Sequence, residues 1–224
     1  MDPATKRPWV WMTVFFIAMA FLESAVVVYL RALYYPEGFR FPLVPMDPGL
    51  VATEVGREFA TLVMLLAPAA LVTRSALGRF AWFCYGFGVW DIFYYVWLKV
   101  LLDWPASLAE PDLLFLIPVP WVGPVWAPCV VSVGLIVLAV LLLRGAGRGP
   151  CAPDRQTWSL LTLSAVIWIA SFVLEPLRLM DGSRSAGNVL DGLVPERYPW
   201  PLALMGGLIG AIGLVRLAVR KAAR

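Results

Sequence analysis

The sequence predicts an all-α fold, a polytopic membrane helix bundle of about six transmembrane helices in a single integral membrane domain spanning residues 1–224. Three observations predict it. Hydrophobic residues make up 61% of the chain and charged residues only 15%, against about 25% charged in a soluble domain. The apolar residues fall into runs of about 20, the length that crosses roughly 30 Å of hydrocarbon. Lys and Arg gather on one side of those runs, as they do in cytoplasmic loops.

The first span covers 9–33. Lys6 and Arg7 ahead of an apolar run resemble the start of a signal peptide, with cleavage near Ala20 as the alternative. The run continues past Glu23 to Leu30, which is span length, so an uncleaved anchor is expected. A Pro-rich loop leads to the second span, 49–72, where Pro68 is expected to bend the helix. The third span covers 80–102. Between 113 and 143 the chain is apolar for longer than one span needs, and Pro118, Pro120, Pro124 and Pro128 oppose one straight helix. A short separate Pro-rich segment, 112–117, is therefore expected on or in the outer face, before a fourth span at 121–143. One long kinked helix is the alternative. Spans five and six cover 157–180 and 200–219, joined by a polar loop. Span six carries Gly206, Gly210 and Gly213 on one face, where small residues let helices approach closely, inside the bundle or at a dimer seam.

Orientation follows from the basic residues. Lys6, Arg7, Arg74, Arg79, Arg144, Arg148, Arg155, Arg216, Arg220, Lys221 and Arg224 fall on the side of the N-terminus; Arg40, Arg184 and Arg197 fall on the other. That predicts a multi-pass protein of the plasma or inner membrane with both termini cytoplasmic.

Composition narrows the chemistry. The chain has no histidine, which removes the commonest metal ligand and general base. Its cysteines, Cys84, Cys129 and Cys151, form no CxxC, so no metal and no cofactor is expected. A net charge of +3 and the lack of a basic stripe argue against nucleic acid. No phosphate-binding Gly loop, nucleophile elbow or HExxH motif occurs. Asp181 and Asp191 have Gly neighbours but no calcium-loop spacing.

The informative feature is charge inside the spans. Glu23, Arg31, Glu54, Arg57, Glu58, Asp91, Lys99, Glu175 and Arg178 all fall at the midplane or in the outer half of their spans. A lone charged side chain at a helix centre costs about 2.5–3.5 kcal/mol on insertion scales, so these groups are expected to find partners, water or a ligand. Arg31, Glu54, Lys99 and Arg178 are near enough to the surface to snorkel. Glu54, Arg57, Glu58 and Thr61 lie at i, i+3, i+4 and i+7, one helix face, which is expected to point inward. Asp91, Tyr95 and Lys99 form a second polar edge within the aromatic run 90–95. Glu23, Ser24 and Arg31 approach from span one. Glu175 and Arg178 flank Pro176, which frees the Phe172 carbonyl. The acids Glu110 and Asp112 beside the Pro-rich segment read as part of a solvated loop, with capping the pocket or binding a cation as the alternative.

The candidate ligand-binding set is therefore Glu23, Arg31, Glu54, Arg57, Glu58, Asp91, Tyr95, Lys99, Glu175 and Arg178. It is expected to form a pocket open to the outside that binds or transports a small polar or anionic solute or a lipid headgroup. Arg31, Arg57 and Arg178 would hold the anionic group, because the guanidinium fork pairs with carboxylate and phosphate. Interhelical salt bridges that only fix packing are the competing explanation. Two further functions fit the same residues. One is a non-catalytic subunit or assembly factor of a larger membrane complex. The other is an outer-leaflet lipid-modifying enzyme using Glu23, Glu58 or Asp91 as acid and base. Partners expected are the bilayer and a homo-oligomer or larger complex.

Overall fold

The computed structural model describes residues 3–41, 43–143, 152–180 and 198–222. The 144–151 loop and the 181–197 loop with Asp181 and Asp191 lie outside the described residues. Among the described residues, long apolar stretches with few breakers give six helices: α1 (Pro3–Tyr34), α2 (Pro48–Val72), α3 (Ala76–Leu102), α4 (Trp126–Leu143), α5 (Arg155–Met180) and α6 (Trp200–Ala222). Five of them, all but α3, are long and apolar enough to cross a membrane. This is the pattern of a multi-pass membrane protein.

The helix ends have local causes. Asp47 caps α2, accepting from the amides of Gly49 at 2.8 Å and Leu50 at 3.3 Å, with Pro48 at the first helical position. The α2–α3 turn is short because Ser75 caps α3 through the Gly78 amide, at 3.2 Å. The helix α3 stops at Asp103, which adopts the left-handed conformation at φ 52°. Neither Pro68 nor Pro176 ends its helix.

The described chain alternates direction at each helix. Thr13 near the start of α1 bonds Tyr85 in the first half of α3, at 2.6 Å. Phe80 of α3 meets Trp158 of α5, and Leu217 of α6 packs with Ala81. The two ends of the described chain therefore lie at one end of the bundle, here the terminal end. At the centre stands α3, packed against α1, α2 and α4; α5 pairs with α6, which joins the rest through α4. Close approaches set these distances. A Cβ on Gly88 would lie 2.6 Å from the Ser132 carbonyl oxygen, so only glycine lets α3 and α4 meet there. On α6, Ser164 of α5 donates to the Gly206 carbonyl at 2.7 Å, and a Cβ on Gly210 would strike the same hydroxyl. The small-residue face of α6 is thus packed inside the chain.

The opposite end carries a hairpin. Strand β1 (Pro111–Phe115) pairs antiparallel with β2 (Trp121–Pro124), with Asp112 opposite Gly123 and a bulge between Leu113 and Phe115. The separate segment expected at 112–117 is this first strand and its turn. The fourth helix starts at Trp126 and not at 121, because 121–124 continue the hairpin. Bonds from Val125 N–H to the Glu110 carbonyl (3.0 Å) and from Trp126 N–H to the Leu108 carbonyl (2.9 Å) tie the base of the hairpin to α4. Strand β2 rests on α5, where Trp121 stacks on Phe172 at 6.1 Å and Gly123 leaves room for the same ring.

Outward-facing positions such as Leu22, Phe59, Leu71, Val100 and Leu208 are apolar and exposed, as a lipid solvent requires. The buried layer at the terminal end is also apolar, built from Met12, Phe16, Leu65, Ala69, Trp82, Leu138 and Leu142.

Candidate functional site

The cap and register of α2 put Glu54, Glu58 and Thr61 on its buried face, with Arg57 half-buried beside them. That stripe meets α1 at Glu23. One oxygen of the Glu23 carboxylate pairs with the Arg57 guanidinium and the other accepts from the Thr61 hydroxyl. Arg57 Nε also donates to Glu54 at 2.8 Å, so a single guanidinium bridges two carboxylates. This network supplies the polar link between α1 and α2.

Glu58, one turn deeper, takes a different partner. Both of its oxygens accept the backbone N–H of Leu116, at 2.9 and 3.0 Å. The turn of the hairpin is thereby fixed to the middle of α2. Asp91 on α3 accepts from the Ser132 hydroxyl of α4 at 2.7 Å, a contact made possible by the close approach at Gly88 one turn earlier. Among the described residues, neither Glu58 nor Asp91 has an Arg or Lys at ion-pair distance.

A second cationic centre sits nearer the hairpin. The Arg31 guanidinium lies 3.9 Å from the Trp104 ring centre and 4.4 Å from that of Phe39, a cation–π sandwich. Its Nη2 is 3.8 Å from Asp112 Oδ1. The Tyr95 hydroxyl donates to the other Asp112 oxygen at 3.1 Å. Asp112 is only 3% exposed, so the solvated-loop reading of this residue is overturned. Strand pairing turns its side chain inward, a contact that no local pattern announces. Ser132, Phe39 and Trp104 were missed for the same reason: their partners are distant in sequence.

These groups surround one cavity of about 590 Å³. It runs from Glu23 and Thr61, midway along their helices, to the 35–48 loop. Its walls include Glu23, Arg31, Glu54, Arg57, Glu58, Asp91, Tyr95 and Asp112. Aromatic rings fill much of the remaining wall. Phe87 lies 5.4 Å from Trp90 and 6.4 Å from Phe115, and Trp90 lies 6.3 Å from Tyr94. The indole nitrogens of Trp90 and Trp121, both on the cavity wall, are buried without an acceptor among the described residues.

Three of the expected residues stand apart. Lys99 is in the last turn of α3, pairs with Asp103 at 2.7 Å and donates to the Pro105 carbonyl at 3.1 Å. It closes the end of its own helix, and the Asp103 carboxyl is held below its usual range by that lysine. Glu175 and Arg178, on either side of buried Pro176, do not line the cavity; Arg178 faces outward. Of the α5 side chains, it is Phe172 that reaches the cavity.

A separate charged group closes the terminal end. Asp154 caps α5 through the Thr157 amide at 3.0 Å and the Thr157 hydroxyl, and pairs with Arg216 at 3.2 Å and with Arg220 on α6. Its carboxyl is held well below the usual range, first by Thr157 and then by the two arginines.

Among the described residues no three His, Cys, Asp or Glu side chains are grouped as a metal site would require. Comparison with protein-family models, curated proteins and solved structures finds no match to this chain.

Proposed function

We propose that this chain crosses the cell membrane with all six helices, holds both termini in the cytoplasm, and binds a small amphiphile or lipid headgroup in the cavity at its outer end. The observation that carries this reading is a single void bordered by charged groups from α1, α2, α3 and β1. Salt bridges serving only to fasten helices would be expected to close on one another and leave no such space. A volume of about 590 Å³ falls within the usual range for small-molecule sites, about 300–1,000 Å³. A wall that combines charged and aromatic side chains suits a molecule with a head and an apolar body.

The apolar layer at the terminal end favours binding over transport. Passage to that side would require Phe16, Leu65, Trp82 and Leu142 to part.

Carbodiimide labelling of Glu58 in the purified protein, followed by mass spectrometry, tests the site. Lipids extracted from the host membrane are expected to protect Glu58 saturably. Labelling that no lipid or solute fraction slows, in a protein whose helical circular dichroism persists, would refute the binding reading. For orientation, cysteines are placed at Ser107 and Ala152 after replacement of the native three. Ser107→Cys is expected to react with an impermeant maleimide on intact cells and Ala152→Cys only after lysis; the reverse result would invert the topology.

A further inference from the structure

The cavity wall carries an excess of negative groups. Among the described residues, its carboxylates are Glu23, Glu54, Glu58, Asp91 and Asp112, and its cations are Arg31 and Arg57. Both arginines are already engaged: Arg57 bridges Glu23 and Glu54, and Arg31 faces Asp112 between two rings. Among the described residues, Glu58 and Asp91 are left with neutral donors, the Leu116 amide and the Ser132 hydroxyl. A carboxylate removed from water without a counter-charge is expensive, and a cation is the partner that relieves it most.

Two further observations bear on what supplies that cation. Trp90 is 6% exposed, lines the cavity, and offers an indole N–H that no group in the described residues accepts. Buried donors are almost always paired, which leaves the Trp90 N–H, like that of Trp121, open to an acceptor from beyond the described residues. Around it, Phe87, Tyr94 and Phe115 present ring faces, which attract ammonium groups electrostatically. An anionic head, in contrast, would have to displace carboxylates from both arginines.

We propose that the ligand is an amphipathic amine: a primary or quaternary ammonium that answers Glu58 and Asp91 and carries, beside the nitrogen, an oxygen that accepts from Trp90. This rests on the reading that the cavity binds an amphiphile, and it names the class. The alkyl body lies along the aromatic wall, and the positive head meets the two carboxylates that lack a counter-charge.

The test uses the full chain in a neutral maltoside detergent and four ten-carbon probes: decylamine, 2-aminodecan-1-ol, decyl phosphate and decanol. Tryptophan fluorescence and the thermal midpoint are followed in titration. Saturable binding of both amines, with the amino alcohol tighter by about 3- to 10-fold as one added hydrogen bond gives, is expected. Trp90→Phe should erase that increment and leave decylamine binding in place. Glu58→Gln with Asp91→Asn should weaken both amines by about ten-fold or more and leave decanol unaffected. If decyl phosphate binds saturably and the amines do not, the amine assignment falls and the amphiphile cavity stands. If none of the four binds, both fall. The wild-type comparison decides between these outcomes even if the variants fail to fold.

Discussion

The carboxylate of Glu58 and the backbone amide of Leu116 are joined by two contacts of 2.9 and 3.0 Å across 58 residues of sequence. This is the link between the membrane-embedded face of α2 and the turn of the hairpin. Glu58→Ala should leave the Leu116 amide without an acceptor, at a cost of about 1–3 kcal/mol. Glu58→Gln keeps an acceptor oxygen and should cost about 1 kcal/mol or less. Hydrogen exchange over 113–118 is the measurement: faster in the alanine variant than in the glutamine variant. Equal exchange in both would show that the hairpin is held elsewhere.

The shared guanidinium of Arg57 makes Glu23 and Glu54 mutually dependent. Arg57→Met should destabilise by about 3 kcal/mol, the low end for a partly accessible pair, because it strands two carboxylates. Adding Glu23→Gln should recover part of that loss. A double-mutant cycle on the thermal midpoint in detergent measures the coupling, and strict additivity would mean the pair contributes nothing as a pair.

Gly88 and Gly134 sit in neighbouring helices and should respond oppositely to the same change. Gly88→Ala places a methyl 2.6 Å from the Ser132 carbonyl oxygen and should cost about 1–3 kcal/mol through overpacking. It should also disturb the bond between Ser132 and Asp91. Gly134 has nothing within 4 Å of its added carbon, so Gly134→Ala should be neutral or stabilising by up to about 1 kcal/mol. Thermal midpoints of the two variants, compared side by side, check both signs.

Asp154 gives the terminal end a pH dependence. Its folded-state pKa lies below the ordinary 3.8, so ionised Asp154 stabilises the fold. That stabilisation is complete above the ordinary aspartate range and is lost as pH falls through the lower folded value. The midpoint difference between wild type and Asp154→Asn should therefore be flat from pH 7 to about pH 5 and shrink under stronger acid. A difference that grows on acidification would contradict the assignment.

Much of the architecture was legible because it rests on local signals. Span length and apolarity marked the helices, and the four- and three-residue spacing of Glu54, Glu58 and Thr61 marked the buried face of α2. The third span, expected at 80–102, falls on α3 (Ala76–Leu102), the central helix, although its many aromatic and glycine residues leave it outside the five most apolar helices. What could not be read was pairing across distance. Trp121 to Pro124 look like the start of a membrane helix and become a strand only because Asp112 to Phe115 lie beside them. The same pairing buries Asp112. Lys99, near enough to the surface to snorkel, does so at the end of its helix, where it turns to Asp103 rather than to the cavity.

The cation–π sandwich at Arg31 has a consequence for biogenesis. Phe39, Trp104 and Asp112 all emerge from the ribosome after Arg31, and the last two only once α3 has been made. Glu23 likewise precedes its partner Arg57. The first helix is therefore made before the partners of Glu23 and Arg31, and the pairing of those two charges waits on α2, α3 and the hairpin.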